Sequence, residues 1–285
     1  MNDVPVLAAD VPVRSAATVM LVRDGDAGLE VFMMQRTHSA VFARGQYVFP
    51  GGKVDDADRA SGFEPICDGL DDRTASAKLG LERGGLAWYV AAIREVFEEA
   101  GLLLARRGSS SEVVDLADPE LADRYNTARH AVHESERSFV DFCAAEHLQL
   151  LVDRLHLVDH WLTPIGERRR FDTRFFLCTA PPAQQPLHDD KETVASLWVR
   201  PADALDMWRA GELQMLPPTI AALRFLGQHG SAAEAVAAAA AIGIPDVVFP
   251  RIVLTDEGRV AGIKRPGDEG YDEVPIPEFV IGFPR

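Results

Sequence analysis

The chain has 285 residues, nearly half apolar and about a quarter charged, enough to bury a core and incompatible with global disorder. Its length exceeds that of one ordinary domain, so either two domains or one domain with large insertions is expected. With 44 acidic against 29 basic residues the net charge is -15, which argues against a long nucleic-acid track and leaves an anionic substrate to local cations or bound metal.

Cys67, Cys143 and Cys178 are odd in number, widely spaced and without a CxxC pair, so neither a disulfide framework nor a zinc cluster is expected, and a reducing cytoplasm suits them. The first residues lack a basic segment leading into an apolar one, and no uncharged apolar run approaches ~18 residues. The expectation is a soluble protein that engages neither membrane nor nucleic acid.

In chain order, the runs Ala16 to Val22 and Leu29 to Met34 flank Asp24-Gly25-Asp26 and read as a hairpin. Tyr47-Val48-Phe49 is a short strand, expected to stop at a turn in Pro50-Gly51-Gly52. From Asp55 to Gly85 no period emerges, as in an inserted segment with room for one short helix. Leu86 to Ala100 places Leu86, Tyr89, Val90, Ile93 and Phe97 at helical spacing and meets Gly101 at a stop position.

Pro119 to Leu151 is predicted helical and partly exposed, a structural insert in the first instance. Strands are expected at His156 to Leu162, Arg170 to Thr179 and Val194 to Val199. Helices follow from Pro201 to Arg209, from Pro217 to about Leu226 and through the alanine-rich Ser231 to Ile242, before a tail of short strands and loops.

Chemistry concentrates in Arg94-Glu95-Val96-Phe97-Glu98-Glu99-Ala100-Gly101-Leu102. On a helix Glu95, Glu98 and Glu99 share one face while Ile93 and Phe97 turn to the core. Such a cluster of like charges costs a few tenths of a kcal/mol per pair unless a cation joins it. Hard divalent ions take several oxygen ligands, often from carboxylates and substrate phosphates together, and Arg94 lies four residues before Glu98, in reach to brace it. An acidic helix face alone is more often merely solvated. What changes the reading is Phe49-Pro50-Gly51-Gly52-Lys53 upstream, where bare glycines let backbone approach an ion or phosphate.

Together the two segments resemble the Nudix box, G-x5-E-x7-R-E-U-x-E-E-x-G-U with U apolar. The match from Arg94 to Leu102 is complete, whereas the front half departs: six residues after Gly52 stands Asp58 instead of Glu, and 35 residues separate it from Arg94. Counting back from the helix instead, Gly80 fits but Leu86 fills the Glu position, so Gly52 and Asp58 are preferred as the front of a box split by an insertion. With RFDTRFFL, SLWVRPADAL and GELQMLPPT downstream, the chain resembles the Nudix branch that contains peroxisomal coenzyme A diphosphatases and bacterial relatives.

The resemblance implies an α/β fold, a Nudix-type α/β/α sandwich around a mixed β-sheet, here with a helical insertion and a C-terminal extension. It places a hydrolase domain at 1–228, with insertions at about 55–85 and 105–155, and an extension at 229–285 packed on the core. It implies Mg2+ or Mn2+ held by Glu95, Glu98 and Glu99 with the Gly51 carbonyl, and Arg94 orienting a glutamate. Relatives often add a carboxylate from a later loop, for which Glu192 is the candidate; the general base is open among Glu98, Glu99 and Glu192. Dimers are common among relatives, which leaves a homodimer open.

The implied substrate is a small nucleotide: a nucleoside diphosphate derivative, with coenzyme A or acyl-coenzyme A first, ADP-ribose or a dinucleotide second, and a non-catalytic nucleotide-binding module as the rival class. Arg36 and Gly45 fall in register with a coenzyme A segment of the family, whose second Arg is Val41 here, with Arg44 as a stand-in. Arg36, Arg44, Gly52, Lys53 and Arg174 are therefore candidate substrate contacts, the guanidinium fork matching phosphate oxygens, although Arg174 could instead pair with Asp172 or Asp190. Trp161 and Trp198 could stack on a base, though sheet packing is the commoner use.

Overall fold

The computed structural model describes residues 6–7, 10–37, 43, 45–187, 193–257, 259–277 and 279–280. Its central strand is β1 (Val13–Gly25), in which Ala16 to Val22 is buried apart from Thr18, the pattern of a strand covered on both faces. A two-residue turn leads to β2 (Gly28–Arg36), which pairs antiparallel with the last four residues of β1. Next, β3 (Tyr47–Val48) pairs with the end of β2, and β4 (Gly51–Lys53) takes the remaining stretch of the same β1 edge, opposite Ala16 to Thr18. The expected turn at Pro50-Gly51-Gly52 is therefore corrected: the glycines continue as a paired strand, and the Pro50 carbonyl accepts from Val19 N–H at 2.8 Å.

On the other edge of β1, β5 (His156–Leu162) and β6 (Arg170–Thr179) return as a hairpin, with β6 parallel to β1 along Val13 to Val22. Strand β7 (Thr193–Val199) closes the outer side of β2, and β8 (Val247–Val248) lies parallel to β5. The eight-stranded sheet is mixed, with main order β7-β2-β1-β6-β5-β8.

Alternation along the central strands divides the core in two. Val19 and Leu21, Phe32 and Met34, and Phe176 and Cys178 face α1 (Asp72–Lys78), α2 (Leu86–Ala100), α3 (Pro119–His133) and α4 (Phe139–Ala145). Met20 and Val22, Val31 and Met33, and Phe175 and Leu177 face α5 (Pro201–Arg209), α6 (Pro217–Leu226) and α7 (Ala232–Ala241). This is the α/β/α sandwich. Helix α7 packs by small buried alanines, Ala232, Ala235 and Ala239, and the Asp24 carboxylate accepts from its first N–H at 2.8 Å.

The inserted segments are not idle. Asp72 of α1 caps the start of α2, accepting from Gly84 N–H at 2.9 Å and Leu86 N–H at 3.0 Å, where a carboxylate opposes the positive end of the helix. Gly101, with φ +66°, ends α2 in the left-handed conformation that favours glycine. Helices α3 and α4 seal the first core with Tyr125, Phe139 and Phe142, the last stacked 5.1 Å from Phe97 of α2.

Among the described residues no helix is long and apolar enough to cross a membrane. All three cysteines are free thiols; burial pushes Cys67 and Cys178 up to about 12 and raises Cys143 as well. A thiolate reagent at neutral pH is accordingly expected to leave Cys143 and Cys178 unmodified until the protein is denatured. Rapid labelling of more than one thiol in the native protein would contradict this.

Candidate active site

Helix α2 carries its carboxylates into the protein instead of into water: Glu98 and Glu99 are 8% and 5% exposed, and Arg94 is 8% exposed. Burial of several anions demands compensation, and Arg94 supplies it from the same helix. Its Nη1 donates to Glu95 Oε1 and to Glu98 Oε1, each at 3.0 Å, so the predicted brace on Glu98 is in place. Its other edge is gripped by Asp58, with Nε to Oδ1 at 2.8 Å and Nη2 to Oδ2 at 2.9 Å. Asp58 is itself 3% exposed and sits on a short 3-10 turn, Asp56–Arg59, that brings it beside α2 despite the long insertion. Burial opposes the charge on Arg94, but Asp58, Glu95 and Glu98 outweigh it and hold the guanidinium well above its usual range.

Strand β4 supplies the second half of the site. Gly51 N–H donates to Glu99 Oε2 at 2.8 Å, and the Lys53 carbonyl accepts from Arg94 Nη2 at 2.9 Å. At Gly52 an added Cβ would stand 2.4 Å from Glu95 Oε1, and at Gly51 it would stand 2.4 Å from the Ala17 carbonyl oxygen. Both glycines are required by close approach. Gly52→Ala is expected to fold, because the obstructing carboxylate can swing away, yet to lose at least about tenfold in turnover through displacement of Glu95. Gly51→Ala meets fixed backbone and is expected to fail in folding; circular dichroism with steady-state rates separates the two outcomes.

From the α3 insertion, Arg129 Nη1 donates to the Glu98 carbonyl at 2.9 Å and His133 Nδ1 lies 3.4 Å from Glu98 Oε2. Neither residue was singled out in the sequence, where nothing local links them to a helix some thirty positions earlier. The insertion read in the first instance as structural thus touches the box helix at the carboxylate of interest.

Arg36 extends from β2 with Nη1 3.8 Å from Glu99 Oε1. It also lines, with Thr18 and Gly51, a cleft of about 340 Å³ whose deepest walls include Phe49, Trp161 and Phe175. The Lys53 side chain is exposed, and only its carbonyl reaches the cluster. Arg44 and Glu192 lie outside the described residues.

Arg174 makes the pair with Asp172 that was its alternative reading. Its neighbours Thr173 and Phe175 line the cleft, so strand alternation turns Arg174 to the opposite face, where it is 3% exposed. There its Nη1 meets Asp172 at 3.2 Å and its guanidinium lies 4.8 Å from the Trp88 ring centre. Trp198 likewise packs in the sheet, 5.3 Å from Phe32 and beneath Arg23, while Trp161 reaches the cleft wall.

Among the described residues, no three Asp, Glu, His or Cys side chains form a finished metal cage. The donor set nevertheless fits a hard divalent cation. Three carboxylates crowd one helix turn against bare glycine backbone, and burial pushes Glu95 up to about 7, with Glu98 adding repulsion against the pull of Arg94. An ion of this kind keeps water and takes substrate phosphate oxygens as its remaining ligands, so an incomplete protein cage is what it needs.

A mixed sheet between helical layers, with a glutamate-bearing helix set against a glycine strand, defines a Nudix hydrolase, and the chain belongs to the Nudix family. Residues 73–226 match the domain family described as the NUDT19 Nudix domain. Human acyl-coenzyme A diphosphatase NUDT19 is 31% identical, the alignment covering 86% of this chain and 73% of the human protein. The Gallus gallus protein of the same name is 30% identical over 74% of this chain and 64% of its own length. Among solved structures, a Nudix hydrolase from Alicyclobacillus acidocaldarius superposes with a TM-score of 0.64 at 28% identity, covering 83% of this chain and all of that one. Members of this family typically require a divalent metal.

Proposed function

We propose that this chain hydrolyses the diphosphate bridge of coenzyme A or acyl-coenzyme A, with Mg2+ or Mn2+, in the cytoplasm. The name carried by its human and Gallus gallus relatives supports the substrate. The contact that carries the chemistry is Gly51 N–H on Glu99, because it joins the helix carboxylates to the wall of the cleft. We assign residues 1–228 to the hydrolase domain and 229–285 to an extension packed on it.

In this reading Glu95, Glu98 and Glu99 offer carboxylate oxygens to the cation, with the Gly51 carbonyl beside them. A divalent ion bound there supplies Lewis acidity, neutralising charge on the phosphoryl oxygens and easing ionisation of the attacking water. Arg94 keeps Glu95 and Glu98 in a fixed orientation, and Asp58 fixes Arg94 in turn. Gly51 N–H and Arg36 hold Glu99 from the cleft side, where Arg36 can also meet a phosphate oxygen. A carboxylate, Glu98, Glu99 or Glu192, accepts the proton that the water loses as the bridge oxygen departs. The products are two phosphomonoesters, an adenosine bisphosphate and a phosphopantetheine or its acyl thioester.

The test is incubation of pure protein and Mg2+ with coenzyme A, acyl-coenzyme A, ADP-ribose, NADH and diadenosine compounds, with products resolved by chromatography. Coenzyme A compounds should be cleaved in preference to the others. Preference for another member of the panel would overturn the substrate, and cleavage of none would overturn the activity.

A further inference from the structure

The extension after α7 contributes to the cleft. Its strand β8 pairs with His160 and Trp161 on the edge of β5, and a ribbon follows, Arg251–Leu254 against Val260–Lys264. Pro250 and Ile263 from this stretch line the cleft, opposite walls built by β1, β5 and β6. The ribbon is braced rather than loosely draped. Arg251 Nη1 donates to the carbonyls of Tyr271, Asp272 and Val274 at 3.0 to 3.2 Å, and its guanidinium lies 4.4 Å from the Tyr271 ring centre. The Tyr271 hydroxyl donates to the Phe249 carbonyl at 2.7 Å. Ile252 pairs directly with Ile263, so their side chains share a face; Ile252 is 7% exposed, while Ile263, at 37%, stands at the rim.

The chemistry of the lining selects what can enter. Arg36 is the only cationic side chain among the described residues that line the cleft. Glu167 lines it too, and among the described residues its carboxylate has no hydrogen-bond or ion-pair partner; burial alone raises its pKa. A phosphate beside Glu167 would be repelled, so the diphosphate belongs with Arg36 and Gly51. What lies beyond must be uncharged and able to donate hydrogen bonds to a carboxylate, as amide N–H groups do. The same lining carries the hydroxyls of Thr18, Thr163, Thr173 and Thr219, which can donate to the carbonyls of such amides. The remaining surface is dominated by Phe, Leu, Ile, Val and Trp, and the volume of about 340 Å³ suits a ligand of modest size.

We propose that this cleft seats the amide-bearing, apolar arm of the substrate, its acyl-pantetheine portion, and that Ile263 at the rim of the C-terminal ribbon determines how much acyl chain is accepted. This rests on the coenzyme A reading given above, and the experiment separates the two. Ile263→Trp narrows the rim, whereas Ile263→Ala cannot block it. Binding of lauroyl-coenzyme A and of free coenzyme A is measured calorimetrically in EDTA, without turnover, and hydrolysis of each is then measured with Mg2+.

The tryptophan variant should lower the lauroyl-to-free ratio, in affinity and in kcat/KM, by at least about tenfold, and the alanine variant should leave it within about twofold of wild type or above. A ratio unchanged in Ile263→Trp, or lowered equally in both variants, overturns the proposal. If wild type binds lauroyl-coenzyme A with the predicted sensitivity at residue 263 but cleaves no coenzyme A compound, the activity reading fails while the cleft assignment stands.

Discussion

Glu98→Gln should lower kcat by on the order of 10³-fold, a loss of about 4 kcal/mol of transition-state stabilisation. The amide keeps the shape of the side chain and can still accept from Arg94 Nη1, so the helix and its packing survive. What is lost is a charge that the cation requires. The same substitution relieves repulsion among buried carboxylates, so the metal-free variant should melt at the wild-type temperature or above it, the usual mark of a site that trades stability for function. Steady-state rates on coenzyme A together with a thermal melt in EDTA check both halves. A rate within about threefold of wild type would contradict the assignment.

Removal of Arg94 should act in the opposite sense on stability. Arg94→Met leaves Asp58 and Glu98 buried without their cation, and breaking a buried pair in this way costs about 3–5 kcal/mol. Urea denaturation of the metal-free protein should show that loss. Asp58→Asn in the Arg94→Met background should recover part of it, with a coupling of roughly 1–3 kcal/mol, because the orphaned charge is then removed as well. Independent, additive effects would mean that the two-point grip between Asp58 and Arg94 contributes nothing.

The box helix was legible to the residue. Its apolar spacing, Gly101 stop and glutamate register are all local properties, and α2 runs from Leu86 to Ala100 as they predict. The longer strands β1, β2, β5, β6 and β7 were legible for the same reason, whereas Leu148–Leu150, in a stretch expected to be helical, is a strand paired with Ala105–Arg107 through a long-range contact. Asp58 could be aligned with the box but not paired with Arg94, since the 3-10 turn that presents it depends on packing across 35 intervening residues. Gly51 and Gly52 were recognised as glycines needed for close approach, yet read as a turn; their pairing with Ala17 and Thr18 is a long-range contact that turn chemistry does not report. For Arg174 the sequence left a site role and a pair with Asp172 both open, and alternation along β6, which sets it opposite to Thr173 and Phe175, was the signal that could have chosen the pair. Arg129 and His133 left no local signal, because a helix at Pro119–His133 reveals its neighbour only once folded.

The most direct measurement is Mn2+ binding by electron paramagnetic resonance, with wild type and the Glu98→Gln/Glu99→Gln double variant titrated at the same pH and shown by melting to be folded. Clustered glutamates that exist to seat a cation predict affinity at least about tenfold weaker in the double variant. Equal binding by the two proteins would place the metal elsewhere and remove the basis for hydrolysis at this helix.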